Sequence, residues 1–208
     1  MQDDPNLDSA YGLSSPEDNK KLYRAWAETY DQGFADSQNY ILHEAVARHF
    51  AQLGGLGPVL DVGAGTGLCG EVLRAEDVTH IHGTDISPEM LERAASKGIY
   101  EELFESDLLQ GLPCADNSFS GAVSSGTFTL GHLGPEPLDD VCRVVQPGGL
   151  IVISINAQHY SEAGFEAYFA RAGDNITGLT LTPTRIYAEG SVGEHADDKA
   201  LLTAFRPA

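Results

Sequence analysis

The sequence has few cysteines and no long apolar segment. Its three cysteines, Cys69, Cys114 and Cys142, are scattered and odd in number, so they provide neither a disulfide framework nor the paired spacing of a metal site. No segment approaches the roughly 20 apolar residues of a membrane helix. The first residues also lack the basic and apolar regions of a signal peptide. We therefore expect a reduced cytoplasmic protein with no bound metal and no membrane contact.

Basic residues are also scarce. The chain has 12 Lys and Arg residues against 31 Asp and Glu residues, a formal net charge of −19. A surface of that sign repels phosphate backbones and anionic lipid heads. This argues against nucleic acid and phospholipid as substrates and favours a small or cationic one. The same charge would also simply keep a soluble protein dispersed, so it identifies no ligand by itself.

The length and the apolar content fit one globular domain. The chain has 208 residues, of which 42% are hydrophobic, enough for a sizeable core. Residues 1–14 have no apolar periodicity and are predicted to form a flexible arm, which leaves residues 15–208 as a single domain. A helix is predicted to start at Ser15 and Pro16. A second helix, at about residues 37–53, has one apolar face. His43 and His49 on this helix are interpreted as surface residues.

From Pro58 onward, short apolar strands alternate with helices. This alternation, with strands apolar enough to be buried on both faces, is typical of a doubly wound, mostly parallel sheet. The last two strand-like segments, 179–190 and 199–208, have no helix between them, so they predict an antiparallel edge. The predicted fold is thus Rossmann-like α/β with seven strands. The other strands are predicted at 59–62, 80–84, 103–106, 119–125 and 150–155, and helices at 68–74, 88–97, 138–145 and 162–172.

A glycine-rich turn follows the first strand: Gly63, Gly65, Gly67 and Gly70 fall within eight positions. In an open α/β sheet, ligands bind at the carboxyl ends of the strands, where the strand order reverses. Glycine there allows the backbone to approach a ligand closely, and the following helix offers free N–H groups. The turn therefore predicts a nucleoside or nucleotide ligand.

Two classes of enzyme use such a turn. Residues 65–70 match the dinucleotide pattern G-x-G-x-x-G, and Asp85 ends the second strand as the expected ribose-binding acid. However, Asp61 precedes the first glycine by two residues, and an anion there would repel a pyrophosphate. It would suit a cationic ligand with an ammonium and a sulfonium group. A nicotinamide-dependent oxidoreductase stays open as the alternative.

Several segments resemble the motifs of class I S-adenosylmethionine-dependent methyltransferases. The chain is similar to that family in VLDVGAGTG, GTDISPEML, FESDLLQGLPCADNSFSGAVSSG and VVQPGGLIVIS. The segments YRAWAETYDQGF and SPEMLERAASKGIY further resemble the Williams–Beuren-region methyltransferase-like subgroup. The resemblance implies methyl transfer from S-adenosylmethionine to a small-molecule acceptor, with S-adenosylhomocysteine as product. A non-catalytic cofactor sensor of the same fold remains a second alternative.

The resemblance also implies which residues bind the cofactor. Asp85 would bind the ribose hydroxyls, Asp107 the adenine amino group, and Asp61 the ammonium group through water. For two residues a structural role stays open as the alternative. Met90 would either cap the adenine or pack in the core, and Asp107 would either accept from the adenine or belong to an ordinary turn. The full predicted set is Tyr30, Asp61, Gly63, Ala64, Gly65, Asp85, Ile86, Met90, Asp107, Leu108, Ser124, Ser125 and Gly126.

Methyl transfer is an in-line displacement, which depends chiefly on alignment of the reacting atoms. A base is needed only where the acceptor must lose a proton, so no catalytic residue is assigned. His132 follows the fourth strand and has two interpretations: a base that faces the substrate, or an exposed loop residue. The helices over about residues 16–53, which carry Trp26 and Tyr30, are expected to form a lid over the cofactor. The pattern does not distinguish a monomer from a homodimer.

Overall fold

The computed structural model describes residues 39–130, 132–191 and 195–208. The predicted arm, the first helix and the cofactor residue Tyr30 lie outside these ranges. Within them, every helix is too short or too polar to span a bilayer.

The described chain forms six helices and seven strands. They follow one another as α1 (Leu42–Gln52), β1 (Val59–Val62), α2 (Leu68–Ala75), β2 (Ile81–Asp85), α3 (Pro88–Ser96), β3 (Glu102–Glu105), β4 (Phe119–Phe128), α4 (Leu138–Val144), β5 (Val145–Asn156), α5 (Ala157–Glu162), α6 (Phe165–Ala172), β6 (Ile176–Arg185) and β7 (Lys199–Pro207), with a 3₁₀ turn at Gly173–Asn175.

The strands form one sheet in the order β3-β2-β1-β4-β5-β7-β6. The first five strands in this order, β3, β2, β1, β4 and β5, are parallel to one another. Strand β7 pairs antiparallel with both β5 and β6. The Rossmann-like fold with an antiparallel C-terminal edge is thereby confirmed. The strand order reverses between β1 and β4, so a ligand site is expected beside the carboxyl end of β1.

Helix α1 is part of the core. Its residues Leu42, Val46 and Phe50 are buried against the sheet. The helix begins five residues later than predicted because the preceding residues pair with the segment after β6: Tyr40 bridges Tyr187. A helix with a fully packed apolar face does not open as a lid, so we restrict the proposed lid to residues 16–38.

Other boundaries also differ from the sequence prediction; strand β6, for example, covers Ile176–Arg185 rather than 179–190. The helix predicted at residues 162–172 begins only at Phe165, as α6, because Gly164 adopts φ +87° before it, and α5 (Ala157–Glu162) precedes it as a helix that the sequence did not predict. Strand β5 begins at Val145 rather than Leu150, since Val145 pairs with Phe119 before a register shift. None of these differences moves a residue of the predicted site.

Candidate active site

A cavity opens at the carboxyl ends of β1, β2 and β4. Its empty volume, open mouth included, is about 1060 Å³. Most of the predicted cofactor residues line it: Gly63, Ala64, Gly65, Asp85, Ile86, Met90, Asp107, Leu108, Ser125 and Gly126.

The glycine-rich turn forms one wall of the cavity. The N–H groups of Gly63 and Ala64 both donate to the carbonyl of Thr84, at 2.9 Å, and tie the turn to β2. Gly65 has φ +55°, and a Cβ added to it would meet nothing within 4 Å. The turn therefore leaves open space above Gly65, where a ligand can approach the backbone.

Asp85 connects the turn to the start of α3. Its Oδ2 accepts from the Gly65 N–H at 2.8 Å, and its Oδ1 accepts from the Ser87 N–H at 2.9 Å. Burial raises the pKa of Asp85 above its ordinary value, although the backbone N–H groups of Ser87, Gly65 and Ile86 act in the opposite direction. Each carboxylate oxygen can accept a further bond, so the residue can still receive the hydroxyls of a ribose.

Asp61, which is expected to hold the cofactor ammonium through water, is not among the described residues that line the cavity. The side chain is fully buried, and its Oδ2 accepts from the Tyr100 hydroxyl at 2.7 Å. Its Oδ1 has no hydrogen-bond partner among the described residues. Side chains alternate between the faces of a strand, so Asp61 is on the same face as Val59. This face packs against α1, α2 and α3. Burial raises the pKa of Asp61 to about 7, with Tyr100 lowering it and Asp85 raising it.

Ser124 also lies outside the cavity lining. It is fully buried, and its hydroxyl donates to the carbonyl of Val62 at 2.7 Å. Its bond joins β4 to β1 and has a structural role. The next residue, Ser125, faces the cavity, where its Oγ lies 3.1 Å from the Tyr40 hydroxyl. The adjacent Gly126 donates its N–H to Ser154 Oγ at 3.0 Å.

Met90, Asp107 and Leu108 lie at the end of the cavity expected for adenine. Met90 is 1% exposed, so it packs in the core and lines the cavity at the same time. Asp107 Oδ1 accepts from the Leu109 N–H at 3.0 Å. That bond forms a local turn, which agrees with the simpler interpretation of Asp107, while the residue also faces the cavity.

His132 also lines the cavity. Its Nδ1 lies 3.0 Å from the carbonyl of Leu130. A carbonyl only accepts, so the Nδ1 carries the proton and, in the neutral ring, the lone pair is on Nε2. Burial lowers the pKa of His132, the Leu130 carbonyl raises it, and His159 lowers it. The neutral ring therefore has the form of a base at neutral pH.

Several cavity residues were not identified from the sequence. His43, expected on the surface, lines the cavity and stacks on Tyr40 with ring centroids 5.5 Å apart. Tyr40 lies just before α1 and His43 lies in its first turn. Both are outside the motifs, and no local pattern marks them. Thr127 was also missed; its hydroxyl donates to the Val62 carbonyl at 3.2 Å.

Comparisons with known proteins agree with this geometry. Residues 59–149 match the family described as methyltransferase domain. Methyltransferase-like protein 27 of Homo sapiens is 31% identical over 150 residues, which cover 70% of this chain and 61% of that protein. The 18S rRNA (guanine(1575)-N(7))-methyltransferase of Saccharomyces cerevisiae is 39% identical over 66 residues, 32% of this chain and 24% of that protein. The chain thus spans less than two thirds of the length of these relatives.

A solved structure supports the fold. An S-adenosylmethionine-dependent methyltransferase of Thermotoga maritima has a TM-score of 0.65 at 14% identity, covering 90% of this chain and 98% of that one. The nicotinamide-dependent alternative has no support among these matches. The family match assigns residues 59–149 to the methyltransferase domain family, and the human relative and the shared fold agree with this assignment.

Proposed function

We propose that the protein transfers the methyl group of S-adenosylmethionine to a nucleophilic atom of a small-molecule acceptor. The observation that carries this proposal is that one cavity is lined both by Gly65, which has open space above it, and by Tyr40 and His132. One end fits a nucleoside cofactor, and the other end has room and polar groups for a second ligand.

The cofactor fits the end formed by the turn and β2. Gly63 and Gly65 would contact its methionine part, Asp85 its ribose, and Met90 and Leu108 its adenine ring. The open position over Gly65 supports this placement, because a side chain there would project into the ligand. When bound, the cofactor supplies an electrophilic methyl group whose leaving group is a neutral thioether.

The acceptor end carries no cationic side chain among the described residues that line it. A nucleic-acid substrate would need phosphate contacts from Lys or Arg, and the net charge of −19 opposes such contacts further. A small neutral or cationic acceptor fits both features. Tyr40 and His43 offer a stacked pair of rings that a planar acceptor could contact.

His132 is proposed as the base for an acceptor that must lose a proton. The acceptor's lone pair forms the bond to the methyl carbon, the carbon–sulfur bond breaks, and its electron pair remains on sulfur. The acceptor proton passes to His132 Nε2 and from there to water. The Leu130 carbonyl holds the ring in the tautomer that this step requires.

Residues 16–38 are proposed to close over the cofactor. The described chain begins at Asn39, one residue before Tyr40, which lines the cavity. A lid there would exclude water and hold the acceptor against the methyl group.

The test combines binding and turnover. Calorimetry should give a micromolar Kd for S-adenosylhomocysteine, about −8 kcal/mol, and no binding of NAD. Methyl-labelled S-adenosylmethionine should label a metabolite fraction of a cell extract and leave purified rRNA unlabelled. His132→Gln should bind S-adenosylhomocysteine normally and label the metabolite more slowly. Tight NAD binding without S-adenosylhomocysteine binding would refute the cofactor, and labelled rRNA would refute the acceptor class. Cofactor binding without any labelled product would favour a sensor.

A further inference from the structure

Helix α5 packs behind the loop that carries His132. Strand β5 ends at Asn156, whose buried side chain caps this helix. Its Oδ1 accepts from the backbone N–H groups of Gln158 at 3.0 Å and His159 at 3.2 Å. Strand β5 is parallel to β4, so both strands end at the edge of the sheet where the cavity opens. The cap therefore fixes the first turn of α5, with His159, at that edge.

The His159 ring holds the loop through a hydrogen bond. Its Nε2 lies 2.8 Å from the carbonyl oxygen of Leu133, the residue after His132. A carbonyl only accepts, so the Nε2 carries the proton and donates it to this bond. Leu133 and His132 both line the cavity, whereas His159 is not among the described residues that line it. His159 thus supports the lining of the cavity from outside it.

An aromatic contact fixes the orientation of the His159 ring. The ring meets the buried Phe165 of α6, with centroids 5.6 Å apart and planes at 61°. Phe165 in turn meets Phe128, the last residue of β4, at 6.0 Å and 90°. The strand that leads into the loop and the helix that carries His159 are therefore packed on one buried ring. Edge-to-face packing of this kind favours one ring orientation, which keeps Nε2 directed at Leu133.

The shape of the loop determines which nitrogen of His132 can act as a base. The backbone N–H of His132 donates to the carbonyl of Thr129 at 3.0 Å, and its Nδ1 lies 3.0 Å from the carbonyl of Leu130. A side chain reaches a carbonyl two residues earlier only while this turn keeps its shape. The bond from His159 to Leu133 holds the turn on its other side. Without that bond, the His132 ring could exchange its Nδ1 proton for an Nε2 proton, because the hydrogen bond at one nitrogen sets the tautomer.

We propose that His159 is a positioning residue for methyl transfer: its hydrogen bond to Leu133 holds the loop after β4 so that His132 keeps its proton on Nδ1 and presents the Nε2 lone pair to the acceptor. The proposal rests on the assignment of His132 as the base. His159 exchanges no proton with the acceptor and acts through the geometry of the loop. A small displacement of a reacting group can slow a reaction by about a hundredfold.

Two substitutions separate the hydrogen bond from the packing. His159→Phe keeps a ring against Phe165 and removes the donor, whereas His159→Gln removes the ring and keeps a side-chain N–H group for Leu133. NMR of ¹⁵N-histidine-labelled protein reads the tautomers at about pH 8, above the ordinary pKa of histidine, and His132→Gln assigns the His132 signals. In the wild-type protein and in His159→Gln, His132 should be the Nδ1–H tautomer. In His159→Phe its signals should move toward the average of the two tautomers.

Turnover is the second measurement. With methyl-labelled S-adenosylmethionine and the metabolite fraction of a cell extract, His159→Phe should label product more slowly than wild type, by up to about a hundredfold. His159→Gln should recover most of the rate. Both variants should bind S-adenosylhomocysteine as the wild-type protein does, because His159 lies outside the described lining of the cavity. His80→Gln is the matched control and should resemble wild type throughout, since His80 pairs with Glu101 directly before β2, at the opposite edge of the sheet.

The outcomes separate positioning from packing. A wild-type tautomer or a wild-type rate in His159→Phe would show that the ring only fills space and would overturn the proposal. If His159→Phe does not fold, His159→Gln decides by its own spectrum: the Nδ1–H tautomer of His132 supports the proposal, and an average of the two tautomers overturns it. A His132→Gln protein that labels product at the wild-type rate would refute the base assignment, and the present proposal with it, whatever tautomer the spectrum shows.

Discussion

The backbone N–H of Gly65 donates to Asp85 Oδ2 at 2.8 Å. This hydrogen bond links the turn after β1 to the end of β2, and Asp85 also lines the cavity. Asp85 thus has two roles. It shapes the turn that receives the methionine part of the cofactor, and it offers a carboxylate to the ribose. A substitution at Asp85 should affect cofactor binding through both.

We predict that Asp85→Ala weakens S-adenosylhomocysteine binding. The loss of charge-assisted hydrogen bonds to the ribose should cost about 1.5–3 kcal/mol, or about ten- to a hundredfold in Kd. Calorimetry gives the Kd directly. Asp116→Ala is a suitable control, because Asp116 pairs with Arg143 away from the cavity. Wild-type affinity in Asp85→Ala would mean that the ribose lies elsewhere.

The glycines of the turn should respond differently to alanine. At Gly65 the added Cβ enters empty cavity space, so Gly65→Ala should weaken cofactor binding; its φ of +55° adds about 1–2 kcal/mol of backbone strain. At Gly70 the added Cβ would collide with Tyr100, and such overpacking should lower the free energy of unfolding by about 1–3 kcal/mol. Denaturant unfolding and calorimetry on both variants distinguish the two effects. Equal cofactor affinity in Gly65→Ala and wild type would contradict the ligand role of Gly65.

Asp61 should make the stability depend on pH. Its pKa is about 7 in the folded protein against 3.8 for an ordinary aspartate, so the folded state holds the proton more tightly than the unfolded state. Its contribution to the free energy of unfolding is therefore complete below about pH 4 and is lost as the pH rises to about 7. Asp61→Asn, which keeps an oxygen acceptor for Tyr100, lacks this dependence.

Denaturant unfolding at several pH values tests this directly. Relative to wild type, Asp61→Asn should gain stability steadily from about pH 4 to about pH 7 and then stay level. Groups common to both proteins, Asp85 among them, cancel in the comparison. A difference that is the same at every pH would show that Asp61 is ionised throughout that range.

The sequence predicts the order of strands and helices and the position of the turn because these depend on local patterns. Asp85 is also predictable, since the end of a strand after a glycine-rich turn is a fixed place in this fold. The orientation of Asp61 is not, because its neighbour Tyr100 is 39 positions away and the hydrogen bond between them depends on tertiary packing. Tyr40 and His43 reach the cavity only because α1 packs across the sheet, which no local pattern in their segment indicates.

The single tryptophan of the chain provides the last prediction. Trp26 belongs to the segment proposed as a lid, residues 16–38, so its fluorescence reports on that segment alone. Binding of S-adenosylhomocysteine should shift the Trp26 emission to shorter wavelength, because closure moves the indole from water to an apolar surface. Hydrogen exchange should show residues 16–36 gaining protection on binding, while β1, β4 and β5, which are already buried, change little. Helix α1 serves as an internal control, since its packed face predicts equal protection with and without the ligand. If residues 16–36 are equally protected in the empty protein and the emission does not move, the segment is a fixed part of the fold, and Tyr30 is then a structural residue rather than a part of a closing lid.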